Sequence, residues 1–242
     1  MKWIVCPSVD ALSRHAADIF VRRSHDAIER RGHFVVALSG GRTPITLFRR
    51  LAEPGHAVHV DWPAVHVVWA DERCVPPQDG ASNFRGAQEA LLSRVPIPAG
   101  NVLRIEGERP PAEAADAYEE ALRDLLGEDG RLDLALLGMG DDGHTASLFP
   151  GDAALDEEDR WAVAVETAAT PPWRVTLTLP VLNAARSVLF LVAGAEKAEA
   201  VLRVQSGEDL PAARIAPAEG ELIWLVETSA VGTQSRIRGS LP

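Results

Sequence analysis

The feature that most constrains this chain is a regular alternation of short apolar runs with longer amphipathic segments. Residues 34–38, 65–70, 132–137, 187–193 and 222–226 are rich in Val, Leu and Ile, and turn residues follow them. Runs this short and this uniformly apolar read as strands buried on both faces. Between them, 9–31, 44–52, 83–94, 111–126 and 196–204 read as helices. In the first, Leu12, Ala16, Ile19, Phe20, Ala27 and Ile28 recur at helical spacing. Pro110 and Pro111 open another sensibly, because proline is tolerated in a first turn. Strand, helix and strand repeated in this way require crossover connections, and these give a mostly parallel sheet covered on both faces. The expected fold is a three-layer α/β/α sandwich around a mainly parallel, Rossmann-like sheet, as one domain over 1–242. Two segments depart from the alternation. Residues 174–178 alternate apolar and polar behind Pro171 and Pro172, which predicts an edge or add-on strand. Residues 151–159, acidic and alanine-rich, predict a solvated surface connection.

Charge narrows the ligand. The formal net charge is −11, which argues against nucleic acid and anionic membrane as partners. An anionic ligand would need a local positive pocket set against that field. No apolar run approaches a membrane span, and the apolar stretch at the N-terminus is too short for a signal peptide. Cys6 and Cys74 are the only cysteines, so no disulfide framework is implied and a reducing cytoplasmic setting is expected. Lysine occurs only at positions 2 and 197 in a chain that otherwise uses arginine, which draws notice to Lys197. The oligomeric state is left open and is compatible with a monomer.

In open parallel sheets, ligands bind beyond the carboxyl ends of the strands, so the residues after each strand carry the functional reading. After Leu38 come Ser39, Gly40, Gly41, Arg42 and Thr43, leading into a helix. Glycines let backbone approach a ligand, and a helix N-terminus offers unpaired N–H groups to an anion. The spacing is neither a P-loop nor a dinucleotide fingerprint; a plain tight turn capped by threonine is the bland alternative. After residue 70 come Asp71, Glu72 and Arg73, then Ser82 and Asn83. Charges at the end of a buried strand need partners or a ligand; the bland alternative is a local ion pair with a helix cap at Ser82 or Asn83, of which Asn83 is preferred. After Leu137 comes G-M-G-D-D-G-H-T. It predicts a strand-to-helix turn, with a helix from about Thr145 and the His144 imidazole facing the cleft. Asp142 stands two residues away, placed to fix its tautomer. A carboxylate-oriented histidine suits general-base work near neutral pH. Asp141, Asp142 and His144 make a poor metal set, with no second histidine or cysteine beside them. After residue 193 comes Gly194-Ala-Glu-Lys197, with Lys197 in a helical first turn. That position makes sense if the ammonium reaches a bound anion.

These stretches resemble the glucosamine-6-phosphate isomerase/6-phosphogluconolactonase family along nearly the whole chain. The landmarks are A-L-S-G-G-R-T-P at 37–44, W-A-D-E-R at 69–73, S-N-F-R at 82–85, L-L-G-M-G-D-D-G-H-T-A-S-L-F-P-G at 136–151, P-P-W-R-V-T-L-T at 171–178 and G-A-E-K-A at 194–198. The long central motif is the most specific. The resemblance implies an α/β/α fold, no cofactor, no metal, and hydrolysis of 6-phospho-D-glucono-1,5-lactone. It implies His144 as general base, Arg73 and Lys197 as phosphate-facing or substrate-facing cations, Ser39, Gly40, Gly41, Arg42 and Thr43 as a phosphate-proximal loop, and Arg174 near the substrate. Beyond the resemblance, Asp142 is expected to orient the imidazole and Arg73 to serve as an oxyanion donor. Arg42, Arg73, Lys197 and Arg174 are expected to form one positive basin. Thr170 stands where the family often has lysine, and Glu227 where aspartate is common. Three rival readings remain. One is amino-sugar phosphate deamination, which uses a glutamate where Phe149 stands here. Another is a non-catalytic sugar-phosphate sensor. The third is a Cys74 thiol nucleophile.

Overall fold

The computed structural model describes residues 1–232. Its main sheet has six parallel strands: β1 (Lys2–Cys6), β2 (Phe34–Leu38), β3 (Val65–Trp69), β5 (Leu134–Leu137), β8 (Ser187–Val192) and β9 (Glu221–Glu227). Their spatial order is β1-β9-β8-β5-β2-β3. A second, antiparallel sheet has the order β4-β7-β6, from β4 (Asp71–Arg73), β7 (Trp173–Leu177) and β6 (Ala162–Glu166). Helices α1 (Val9–Arg31), α2 (Arg42–Leu51), α3 (Pro54–Ala57), α4 (Asn83–Ala90), α5 (Pro111–Leu126), α6 (Leu179–Ala184) and α7 (Ala198–Gln205) flank the sheets, giving the three-layer α/β/α arrangement. Among the described residues no helix is long and apolar enough to cross a membrane.

Local chemistry explains the best-defined element. The Ser8 hydroxyl accepts the Ala11 N–H at 3.1 Å and starts α1, while Gly32 ends it at φ +79°, in the left-handed region glycine tolerates. Leu12, Ala16, Ile19, Phe20 and Ala27 are buried along one stripe. Strands β2, β5 and β8 are buried at every position, as strands covered by helices on both sides must be. Across β1, β9 and β8, Trp3, Trp224 and Phe190 occupy registered positions. Their rings stack, with centroids 4.6 Å apart for Trp3–Trp224 and 3.8 Å for Phe190–Trp224.

Strand order creates the site. From β2 the chain crosses to β3 on one side, then returns to β5 on the other, so the direction of winding reverses between β2 and β5. The loops leaving their carboxyl ends therefore diverge and open a crevice. β8 lies beside β5 and brings a third loop to the same edge. Ala70 joins the two sheets: its N–H donates to Leu38 O at 2.8 Å, and its carbonyl accepts the Leu177 N–H at 2.7 Å. Beyond it the chain enters β4, which carries Arg73 across from Arg174 in β7.

Several expectations change. Of the two readings for 174–178, the edge is corrected and the add-on stands: β7 lies outside the main sheet and pairs with β4 on one side and β6 on the other. Of its polar positions, Arg174 reaches the crevice while Thr176 is fully buried. The connection at 151–159 is not wholly solvated, because a 3₁₀ turn over Ala153–Asp156 buries Ala154 and Leu155. No helix begins at Thr145; Gly143 at φ +87° and Ala146 at φ +49° turn the chain into a short Thr145–Leu148 bridge instead. Helix α2 starts two residues early, directly after Gly41. The 83–94 helix ends at Ala90 and the 196–204 helix begins at Ala198, each flanked by a 3₁₀ turn.

The aromatic ladder gives a stability test. Phe190→Ala should lower unfolding free energy by about 3–5 kcal/mol, the range for emptying a buried aromatic site. Urea denaturation followed by tryptophan fluorescence measures it, since Trp224 reports on the same contact.

Candidate active site

A cavity of about 360 Å³ opens at the carboxyl edge of the main sheet. Ser39, Gly40 and Gly41 reach it from the end of β2, and Gly138, Met139, Gly140 and His144 from the end of β5. Asp71, Arg73 and Arg174 enter from the second sheet, Asn83 from the start of α4, and Lys197 from the turn before α7. Sequence reasoning thus located His144, Arg73, Arg174, Lys197, Ser39, Gly40 and Gly41 on its wall. Asp142 stands behind His144. Arg42 and Thr43 lie outside it, in an adjoining cleft of about 210 Å³ that shares Gly40, Gly41 and Lys197. The single basin of four cations is therefore corrected for Arg42. As the first residue of α2 it points to solvent, its side chain 96% exposed, and its nearest carboxylate is Glu196 at 3.5 Å.

The β5 loop is built around the histidine. His144 Nδ1 lies 2.6 Å from Asp142 Oδ1, and the same oxygen accepts the His144 backbone N–H at 3.0 Å. Burial raises the Asp142 carboxyl, but the hydrogen bonds and charge of His144 outweigh this and hold it below the usual carboxylate range. The pair is stacked directly over Gly140. A Cβ there would stand 2.1 Å from His144 Nδ1 and 2.5 Å from Asp142 Oδ1, so only glycine admits it. Thr145 Oγ1 donates to Gly138 O at 2.9 Å and Gly140 N to His144 O at 2.8 Å, closing the loop on itself. Ser147, fully buried, donates through Oγ to Asp71 Oδ2 at 2.7 Å and through its N–H to Thr176 Oγ1 at 3.1 Å. Phe149 packs its ring on the imidazole, centroids 4.5 Å apart.

The cationic wall rests on Glu72, which the sequence marks only as one of three charges at a strand end in need of partners. Glu72 is 2% exposed and accepts four hydrogen bonds. They come from the backbone N–H groups of Arg73, Asn83 and Phe84, each at 2.7 Å, and from Ser82 Oγ at 3.0 Å. Burial raises its carboxyl above the usual range, the backbone donors opposing. Glu72 thus pins the start of α4 to β4. Of the two caps expected, Ser82 is the one formed, accepting the Arg85 N–H, and the preference for Asn83 is corrected. Asn83 Nδ2 donates to Asp71 O at 2.9 Å and Oδ1 at 3.2 Å. The Asn83 amide also rests against Gly40, where a Cβ would meet Asn83 Oδ1 at 1.8 Å. The signal for Asn83 was its place in S-N-F-R; for Glu72 only the three-dimensional structure gives it, because its partners lie about ten residues on.

Among the described residues, three buried polar atoms on this wall lack a partner: Ser39 Oγ, Arg73 Nε and Arg174 Nε. Buried donors are normally satisfied, so these mark where a ligand's acceptors would go. Burial, and then the like charge of Arg73, pull the Arg174 guanidinium below its usual range. Among the described residues no group of three or more His, Cys, Asp or Glu is arranged to hold a metal.

Fold and site together define an open-sheet α/β protein with a cationic, histidine-bearing cleft at its strand ends. The family described as glucosamine-6-phosphate isomerases/6-phosphogluconolactonase matches residues 7–224, and the chain belongs to it. A 6-phosphogluconolactonase of Nostoc sp. (strain PCC 7120) is 41% identical over 235 residues, covering 93% of this chain and 95% of that one. The crystal structure of 6-phosphogluconolactonase from Thermotoga maritima superposes with a TM-score of 0.83 at 32% identity, over 94% of this chain and 100% of that one. The 6-phosphogluconolactonase from Trypanosoma cruzi gives 0.86 at 29% identity, over 97% of both.

The thiol reading is not favoured by the site. Burial, then the charge of Glu72, pushes the Cys74 thiol up to about 11, so it is protonated near neutral pH and a poor nucleophile. Cys74→Ala should keep wild-type kcat. Labelling of Cys74 by iodoacetamide should be slow at pH 7 and accelerate as pH rises toward that value, which mass spectrometry can follow.

Proposed function

We propose that this protein hydrolyses 6-phospho-D-glucono-1,5-lactone to 6-phospho-D-gluconate, the lactone-opening step of the oxidative pentose phosphate pathway. The observation that carries this reading is the Asp142–His144 pair at 2.6 Å on the wall of a cavity shared with Arg73, Arg174 and Lys197. With Nδ1 donating to Asp142, Nε2 is the nitrogen left to accept a proton from water. The hydroxide so formed attacks the lactone carbonyl. Arg73 and the backbone N–H groups of the glycine loops supply donors for the oxyanion, each of a kind worth about 3 kcal/mol. Collapse of the intermediate breaks the bond to the ring oxygen, which takes the proton back from His144. The phosphate, held through Ser39, Gly40, Gly41 and Lys197 with Thr43 and Arg42 at the rim, supplies positioning. The family resemblance and the names of the relatives support the substrate. Phe149 against the imidazole supports lactone hydrolysis over deamination, because the deaminase reaction uses a carboxylate there. Cys6 and Cys74 are both unpaired, which supports a reducing compartment such as the cytoplasm.

His144→Asn should leave the melting temperature unchanged and lower kcat by about 10²–10⁴-fold, the span for a general base. Near-normal kcat in a spectrophotometric lactonase assay would end this assignment.

Lys197→Ala should lower kcat/KM for the phosphorylated lactone by about tenfold, the scale of one charge-assisted hydrogen bond. It should barely change turnover of unphosphorylated glucono-δ-lactone. Equal losses on both substrates would move Lys197 from phosphate recognition to the chemistry or the fold.

A further inference from the structure

Most arginines of this chain are committed to carboxylates. Arg104 is paired with Glu108, Arg160 with Glu119 and Asp116, Arg203 with Glu208, and Arg214 with Asp209. One groove breaks the pattern. It has a volume of about 460 Å³ and runs between α2 and the start of α4, with Arg42, Thr46, Arg49 and Arg73 on its walls and Ser82 and Asn83 at its floor. No acidic residue lines it, in a chain that carries 35 of them. Arg42, Thr46 and Arg49 fall at i, i+4 and i+7, one face of α2. Arg49 is exposed and has no side-chain partner among the described residues. Among the described residues Arg73 makes no ion pair either; its Nη1 donates to Ala81 O at 2.5 Å, and its Nε is buried without a partner there. Arg73 also lines the inner cavity, and Gly40 and Gly41 form a wall common to both spaces.

Arg42 has the Glu196 carboxylate at 3.5 Å, but Arg49 and Arg73, on the walls of the same groove, carry no ion pair among the described residues. Unneutralised guanidinium groups repel one another, so the arrangement costs stability unless an anion visits it. It stands beside the cavity, on a protein whose net charge of −11 repels a phosphate dianion at long range. We propose that this groove is an outer landing site for the phosphate of the substrate, from which it passes over Gly40 and Gly41 to the inner cavity. The ligand class is a phosphate monoester dianion, and the inference rests on the function proposed above. Arg49 acts here at a distance from the reacting atoms, by drawing the anion in.

The distinguishing property is screening. Charges acting across solvent are felt over about 30 Å at 0.01 M ionic strength and about 3 Å at 1 M. Arg49→Ala should lower kcat/KM for 6-phospho-D-glucono-1,5-lactone by about threefold at 0.01 M, and Arg49→Glu by about tenfold, within the range of electrostatic steering. Both variants should match wild type at 1 M, keep wild-type kcat, and show no change with unphosphorylated glucono-δ-lactone. Arg30→Glu changes net charge identically but sits in the last turn of α1, at the opposite end of the sheet, and should behave as wild type throughout. The inference is overturned if Arg49→Glu equals wild type at 0.01 M, if its loss persists at 1 M, or if Arg30→Glu shows the same loss. Wild-type protein that does not hydrolyse the phosphorylated lactone would overturn the proposed function, and this inference with it.

Discussion

The parallel register of β8, β5 and β2 governs everything else in this molecule. Their carboxyl ends lie side by side, so the loops that follow them must meet at one edge. Parallel pairing alone would give a row of loops; the reversal of winding between β2 and β5 opens a gap between them. Ala70 adds the second condition. By bonding to β2 and to Leu177 at once, it turns the chain out of the main sheet into β4 and carries Arg73 over the gap. The cavity is thus bounded by a parallel edge below and a small antiparallel sheet above.

Electrostatics inside this frame follows from burial. Glu72 and Asp71 are enclosed carboxylates whose hydrogen bonds are spent on backbone amides, Ser82, Asn83 and Ser147 rather than on Arg73 or Arg174. Arg73 and Arg174 therefore line the cavity with no carboxylate ion pair among the described residues, and the Nε of each is left without a partner. An acidic protein can present a positive cavity only if its carboxylates nearby are engaged elsewhere, and Glu72 is engaged by four donors. The same loop economy operates at His144, where glycine at 140 lets a carboxylate and an imidazole share one small volume.

The strands and helices were largely legible because their hydrophobic periods are local: 9–31 and 111–126 match α1 and α5 at both ends. Glycine-rich stretches after strands announced the site for the same reason. The errors lie where tertiary contacts overrule local signals. Residues 174–178 carry prolines just upstream, a signal of an edge or add-on strand, yet β7 is flanked on both sides: β6 precedes it through a short connection, and β4 arrives from a distant part of the chain. The expected helix from about Thr145 does not form. There, bonds from Ser147 to Asp71 and Thr176 hold the chain in a bridge instead.

By itself, then, the sequence determined the alternation of strand and helix, the parallel sheet, and the loops that carry Ser39, Arg73, His144 and Lys197. These depend on residues close together in the chain, whose periodicity and turn chemistry act locally. Only the tertiary structure decided which of the cations face the cavity. Arg42 is one residue from Gly41, yet the start of α2 aims it at solvent, while Arg174, far away in sequence, is brought opposite Arg73 by strand pairing. Side-chain direction and long-range pairing depend on where whole elements pack, and no local pattern encodes that.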